Sequence, residues 1–253
     1  YELNLRLILS AYHLGTGACD LSKLFSMLGF GNMLHFERSF YRHEHDINER
    51  IIHVTRRIIA SALLEEIRMT AEKTFSDQID DRSLQRWFNF LKNKQYDKAK
   101  QIITHLRITT SYDMGWQRRS TGRVYDSLSG HGYMVGCTSG KVVCMGVRNK
   151  RCSTCTSHNK RGIEPPVHNC VVNHSGSWGG MESQLCEDLI TKMYEDFEGC
   201  VVVGGLVTDD DSTIRSRCKN VEEGGRLVAG IPTPVFYADP GHRIKVIGKA
   251  LFA

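Results

Sequence analysis

Apolar positions along the chain follow two periods, and the change between them falls near residue 106. Before it the spacing is helical. Leu21, Leu24, Phe25 and Leu28 recur at three- and four-residue intervals and stop at the breaker Gly29-Phe30-Gly31. Ile47, Ile51, Ile52, Val54, Ile58, Ile59, Leu63, Leu64 and Ile67 predict one long helix over 46–74. Trp87, Phe88, Phe90 and Leu91 supply the apolar face of two shorter helices within 81–105. No strand-like alternation occurs in this stretch, so residues 1–105 read as an all-helical N-terminal region.

After residue 106 the pattern becomes mixed. Residues 106–113 read as a strand, and 132–137 with 141–147 as two more around the turn Thr138-Ser139-Gly140. The helical period returns over 181–197, with Leu185, Leu189, Ile190, Met193 and Phe197 on one face. The unbroken apolar run 200–208 predicts a strand buried on both faces. A short helix over 211–218, a strand over 234–238 and a helix over 241–251 complete the order. Strands and helices in this sequence predict an α/β core over 106–253, a mixed sheet with helices on its faces.

Composition narrows the class. The 253 residues are 41% apolar and 24% charged, which excludes a disordered tail, a collagen and a coiled-coil rod. A bilayer-spanning helix needs about 20 apolar residues, and the longest apolar run, 201–207, is short and broken by two glycines. The net charge of +5 permits a polyanionic partner without demanding one. The chain opens on Tyr1 rather than Met, and we expect it to be part of a longer reading frame.

Nine cysteines, an odd number without a secretory signal, point to a reducing compartment rather than to a disulfide framework. They are unevenly spread. Cys152-x-x-Cys155 is followed, after a twelve-residue spacer, by His168-x-Cys170. Two close pairs of thiolate and imidazole ligands suit a tetrahedral zinc ion. They sit in a basic insertion, 148–175, which is expected to lack secondary structure and to be tied by the metal. His158 and His174 are alternative fourth ligands.

Two aspartates leave strand ends: Asp113 after the first strand and Asp209 after the fourth. If those strands are neighbours, the carboxylates share a site for magnesium or manganese, the oxygen-liganded ions that phosphoryl transfer uses. Taken singly, each is also a turn former. Asp211 reads as a plain helix cap for the segment after it. Arg118, Arg119 and Arg123 follow the first acid, and Lys92, Lys94, Lys98 and Lys100 precede the core. Such residues contact phosphates, or form a solvated face. Trp116 can stack on a base or fill the core.

These blocks, in this order, resemble the Mutator-like transposase domain. Asn4-Leu5-Arg6-Leu7 with Gly15-x-Gly17 is similar to its helical entry. Residues 111–119, Ser-Tyr-Asp-Met-Gly-Trp-Gln-Arg-Arg, are similar to its first catalytic block, departing at Met114 where that block carries Gly. The Cys/His pairs, then 173–182 (Asn-His-Ser-Gly-Ser-Trp-Gly-Gly-Met-Glu), resemble its Cys/His block and the string that follows. Residues 207–212 resemble its Asp-Gly-Asp-Ser block, and Asp239-Pro240-Gly241-His242-Arg243 with Lys245, Gly248 and Lys249 its His-x-x-Lys block.

The resemblance implies a ribonuclease H-like fold and a DDE-type mechanism. Water cuts the transposon end, and a 3′ hydroxyl then attacks target DNA. Asp113 is the first acid and Asp209 the second. The third lies beyond the His block in the family. No Glu follows Glu223, so it is expected past Ala253. Glu182, which opens the helix after the third strand, is a secondary candidate, or else a partner of the helix dipole. Trp116, Arg118, Arg119, Arg123, His242 and Lys245 are the implied contacts to double-stranded DNA. Nuclear localisation, no membrane association, and a homo-oligomer when two ends are synapsed follow from the same reading. Two alternatives stand beside it: a domesticated, inactive transposase-derived domain that only binds DNA or protein, and a zinc-stabilised interaction module.

Overall fold

The structure, a computed structural model, describes residues 2–14, 16–29, 36–117, 127–209, 211–241 and 244. The chain divides into two compact units, Tyr1–Ile58 and Ile59–Ala253. In the first, α1 (Glu2–Leu14), α2 (Ala18–Met27) and the start of α3 (Phe36–Phe75) bury Ile8, Ala11, Ala18, Leu21, Phe40 and Ile47 in a small core. The helix α3 begins ten residues before its expected start, through a charged stretch in which His45 and Glu49 sit one turn apart. Its apolar periodicity predicted the helix but not the burial, since Ile51, Ile52, Val54 and Ile58 are exposed.

The second unit holds the sheet. Asp80 caps α4 (Asp81–Lys92) by accepting from the Ser83 backbone N–H at 3.0 Å. The helix then buries Leu84, Trp87 and Leu91. α5 (Tyr96–Lys100) leads into β1 (Leu106–Trp116), β2 (Ser129–Gly136) and β3 (Val142–Asn149). After α6 (Ser153–Lys160) and α7 (Trp178–Asp196) come β4 (Val201–Thr208), α8 (Ser212–Arg217) and β5 (Val235–Ala238). The sheet order is β3-β2-β1-β4-β5. β1 and β2, and β2 and β3, pair antiparallel; β1 with β4, and β4 with β5, pair parallel. This is the mixed α/β sheet that the strand and helix order predicts. β4 is buried along nearly its whole length, as its unbroken apolar run requires.

α7 crosses the sheet and buries Met181, Leu185, Cys186, Leu189, Ile190 and Met193. Two bare positions let it come close. A Cβ on Gly146 would lie 2.7 Å from Leu185, and one on Gly132 would lie 2.8 Å from both Leu185 and the Tyr112 hydroxyl. Adjacent acids pin the helix on two sides: Asp188 pairs with Arg148 of β3 and Glu187 with Arg217 of α8.

Two local expectations change. β1 runs three residues past Asp113, because Asp113 to Trp116 stay paired with β2 through Asp113↔Tyr133 and Trp116↔Gly130. The Cys/His insertion contains a helix, α6, where none was expected. It buries no residue and is held by local bonds instead, among them Thr156 Oγ1 to the Cys152 carbonyl at 2.8 Å. Of the expected helix over 241–251, all but Gly241 and Ile244 lies outside the described residues. Among the described residues, no helix is long and apolar enough to cross a membrane.

Candidate metal centres

Asp113 and Asp209 are carried by neighbouring parallel segments, β1 and the residue after β4. The parallel ladder between β1 and β4 closes on Ser111↔Val207. Asp113 lies two residues beyond that last pair, still within β1, and Asp209 two residues beyond it, just past the end of β4. Asp113 is exposed. Its Oδ1 accepts from the Met114 backbone N–H at 2.8 Å and its Oδ2 from the Tyr133 hydroxyl at 3.1 Å. The negative charge of Asp113 raises the Tyr133 pKa, so the phenol stays a donor.

Glu182 comes to the same place from α7. Ser177 caps that helix, accepting from the Gly180 N–H at 3.2 Å. Glu182 sits in the helix's second turn and is half-buried. Its pKa is raised to about 7, first by burial and then by the charges of Asp211, Asp113 and Asp209. Carboxylates that act on one another, one of them held partly neutral chiefly by burial, offer an all-oxygen donor set. That chemistry fits hard divalent cations. No three of these acids converge within 4.8 Å among the described residues.

Asp211 is the cap that its place predicts, accepting from the Thr213 N–H at 2.6 Å. Its field on Glu182 went unread in the sequence. The only signal was its membership in the run 209–211. Tyr133 was missed as well; its pairing opposite Asp113 becomes visible once the hairpin register is known.

The second centre is compact. Cys152, Cys155, His168 and Cys170 place their ligand atoms within 4.8 Å of one another. His168 Nε2 lies 3.3 Å from Cys152 Sγ and 3.4 Å from Cys155 Sγ, and the Cys155 and Cys170 sulfurs are 3.6 Å apart. A tetrahedron with metal–sulfur bonds of about 2.3 Å has edges of about 3.6–3.8 Å, so the set fits zinc. The Pro166 carbonyl, 2.7 Å from His168 Nδ1, can only accept. It fixes the proton on Nδ1 and leaves the Nε2 lone pair facing the sulfurs.

The clustered thiols shift one another in opposite directions. The Cys155 backbone N–H leads the groups that lower the Cys152 thiol to about 6. Cys155 is pushed the other way, to about 11, chiefly by the Cys170 thiol beside it. The other two histidines are engaged elsewhere. His158 Nδ1 donates to the Thr154 carbonyl at 2.9 Å. His174 is buried between the Ser177 carbonyl at 2.9 Å and the Gln184 side chain at 2.8 Å.

Trp116 is half-buried at the end of β1 and packs against the core. Arg118, Arg119, Arg123, His242 and Lys245 lie outside the described residues. Lys92 and Lys98 each lie over a phenylalanine ring, Phe88 and Phe90.

The family model for Mutator-like transposase matches residues 1–252. No curated protein and no solved structure matches the chain. An ordered set of transposase-like blocks in the sequence thus meets a family match along essentially the whole chain: the protein belongs to the Mutator-like transposase family.

Proposed function

We propose that the chain is the core of a DDE-type transposase that cleaves and joins transposon DNA. One observation carries this reading: β1, which bears Asp113, and β4, which Asp209 follows, are neighbouring parallel strands, and half-buried Glu182 feels the charges of Asp211, Asp113 and Asp209 after the effect of its own burial. The order β3-β2-β1-β4-β5, with β2 antiparallel to its neighbours, supports a ribonuclease H-like fold.

Asp113 and Asp209 would hold magnesium or manganese, and Glu182 serves as a third carboxylate from the described residues. Such ions activate an attacking oxygen and stabilise the leaving one. The protein's own part is positioning. Tyr133 and the Met114 N–H fix the Asp113 carboxylate, and the ion pairs on Glu187 and Asp188 fix the helix that carries Glu182. Cys152, Cys155, His168 and Cys170 hold a structural zinc. The partners are transposon ends and target DNA, engaged by Trp116, Arg118, Arg119, Arg123, His242 and Lys245. Homo-oligomerisation on synapsis, and the nucleus as the site of action, follow from that role.

The test is cleavage of terminal-repeat DNA in manganese by the full-length protein. Asp113→Asn, Asp209→Asn and Glu182→Gln are each expected to fall to the metal-free background. Cleavage by Asp113→Asn equal to that of wild type would overturn the assignment.

A further inference from the structure

An open groove of about 1010 Å³ lies between the end of the sheet and α6. Gln117, Ser129, Asn149, Arg151, Ser157 and Lys160 are among the residues lining it, and every described lining side chain is neutral or cationic. Segment 148–161 carries Arg148, Lys150, Arg151, Lys160 and Arg161 and no carboxylate. Arg148 is engaged with Asp188. No carboxylate among the described residues pairs with Arg151 or Lys160.

The groove is also preset for an acceptor-rich ligand. Arg151 Nε donates to Thr156 Oγ1 at 3.3 Å, and that hydroxyl donates to the Cys152 carbonyl. The guanidinium is thus oriented from behind, with its terminal N–H groups left for a ligand. Ser129 Oγ donates to Gln117 Oε1 at 2.6 Å, which leaves the Gln117 amide N–H groups as further donors. Gln117 lies four residues past Asp113, about 13 Å along an extended strand. The edge of the groove therefore continues the chain segment that carries Asp113.

We propose that this groove takes the sugar–phosphate backbone of the DNA that leaves the carboxylates, with Arg151 and Lys160 as two phosphate contacts. The inference rests on the transposase reading above. Charge complementarity selects the occupant: a polyanion with a repeating phosphate suits a wall whose described polar side chains are cations, hydroxyls and amides, with no acid among them.

The experiment uses the full chain and a fluorescein-labelled duplex, with anisotropy followed across a salt series. Each phosphate contact contributes about 0.9 to the slope of log affinity against log salt. The double variant Arg151→Ala/Lys160→Ala is expected to lose about two from that slope and about tenfold or more in affinity at moderate salt, with its melting temperature unchanged. Lys92→Ala/Lys98→Ala removes the same charge elsewhere and is expected to lose much less. Wild-type affinity and slope in the Arg151/Lys160 variant would overturn the groove assignment, and so would an equal loss in the control pair. No duplex binding by the wild type would overturn both this inference and the reading it rests on. Cleavage by Asp113→Asn with groove binding intact would remove the catalytic reading alone.

Discussion

Tyr112 donates its hydroxyl to the backbone carbonyl of Glu182 at 2.9 Å, across seventy residues of sequence. Tyr112 is the neighbour of Asp113 in β1, so one hydrogen bond ties the strand of the first acid to the helix of another. Burial leads the effects that raise the Tyr112 pKa well above the ordinary phenol range, which keeps the group a donor at any pH the protein meets. The bare Cα of Gly132 makes room for the ring, since a Cβ there would lie 2.8 Å from the hydroxyl.

Tyr112→Phe removes that donor and leaves the Glu182 carbonyl only its bond within α7. The expected loss is about 1–2 kcal/mol, seen as a lower urea midpoint at unchanged slope. Metal-dependent cleavage should fall further than stability does, because the helix bearing Glu182 loses its tether. An unchanged midpoint would show that the tether has no weight.

Glu182 predicts a pH dependence of opposite sign to that of a salt-bridged acid. Its folded pKa is about 7 against an ordinary value of 4.5, so the folded state binds the proton more tightly. The stability this gives is complete below the unfolded pKa and is lost as pH rises through about 7. Glu182→Gln is therefore expected to be more stable than wild type at about pH 8, by about 1–2 kcal/mol after allowance for solvent screening, and not at about pH 5. Manganese should raise the wild-type melting temperature more at about pH 8 than at about pH 5, because it binds the ionised form. A manganese shift that is the same at both pH values, or that survives Asp113→Asn/Asp209→Asn, would count against a cation among these acids.

The sheet was legible because apolar periodicity changes at Leu106 and because the run 200–208 has no polar interruption. Asp113 and Asp209 could be picked out as strand-end acids, but that β1 and β4 are neighbours is a property of strand order, which no local pattern carries. Glu182 read equally well as a dipole partner; only the packing of α7 across β2, β3 and β4 brings its carboxylate into the field of the others. α6 was invisible for a different reason. Its sequence, Ser-Thr-Cys-Thr-Ser-His-Asn-Lys, has no apolar stripe, and its first turn is held by Cys152 and Cys155 rather than by a buried face. The choice among His158, His168 and His174 likewise needed the fold, since spacing alone allowed all three.

A buried acid far from both centres holds the hairpin. Glu66 of α3 is fully buried and accepts from the Thr138 and Ser139 backbone N–H groups at 3.1 and 2.6 Å, at the turn between β2 and β3. Glu66→Gln turns one acceptor into a donor facing a donor. The expected cost is about 2–3 kcal/mol by urea unfolding. Gly136→Ala should be comparably damaging, because its Cβ would sit 2.4 Å from the Glu66 carboxylate. If Glu66→Gln unfolded at the wild-type midpoint, the clamp would be dispensable.

The Cys/His centre makes the sharpest distinction between histidines. His168 belongs to the cluster with its Nε2 facing two sulfurs, whereas His174 spans the Ser177 carbonyl and the Gln184 side chain at the entry to α7. The protein as purified should carry about one zinc per chain, removable by a strong chelator. His168→Ala and Cys155→Ser are expected to lose it, and His174→Ala to keep it while lowering the melting temperature. Removal of the metal should cost little helical signal beyond α6, because that helix buries nothing and the sheet core lies elsewhere. Hydrogen exchange resolved by segment separates the outcomes: protection lost over 152–170 and kept over 201–208 is the expected pattern. Retention of zinc by His168→Ala, or its loss from His174→Ala, would place the fourth ligand wrongly, since only one of the two imidazoles has a nitrogen free to meet the thiolates.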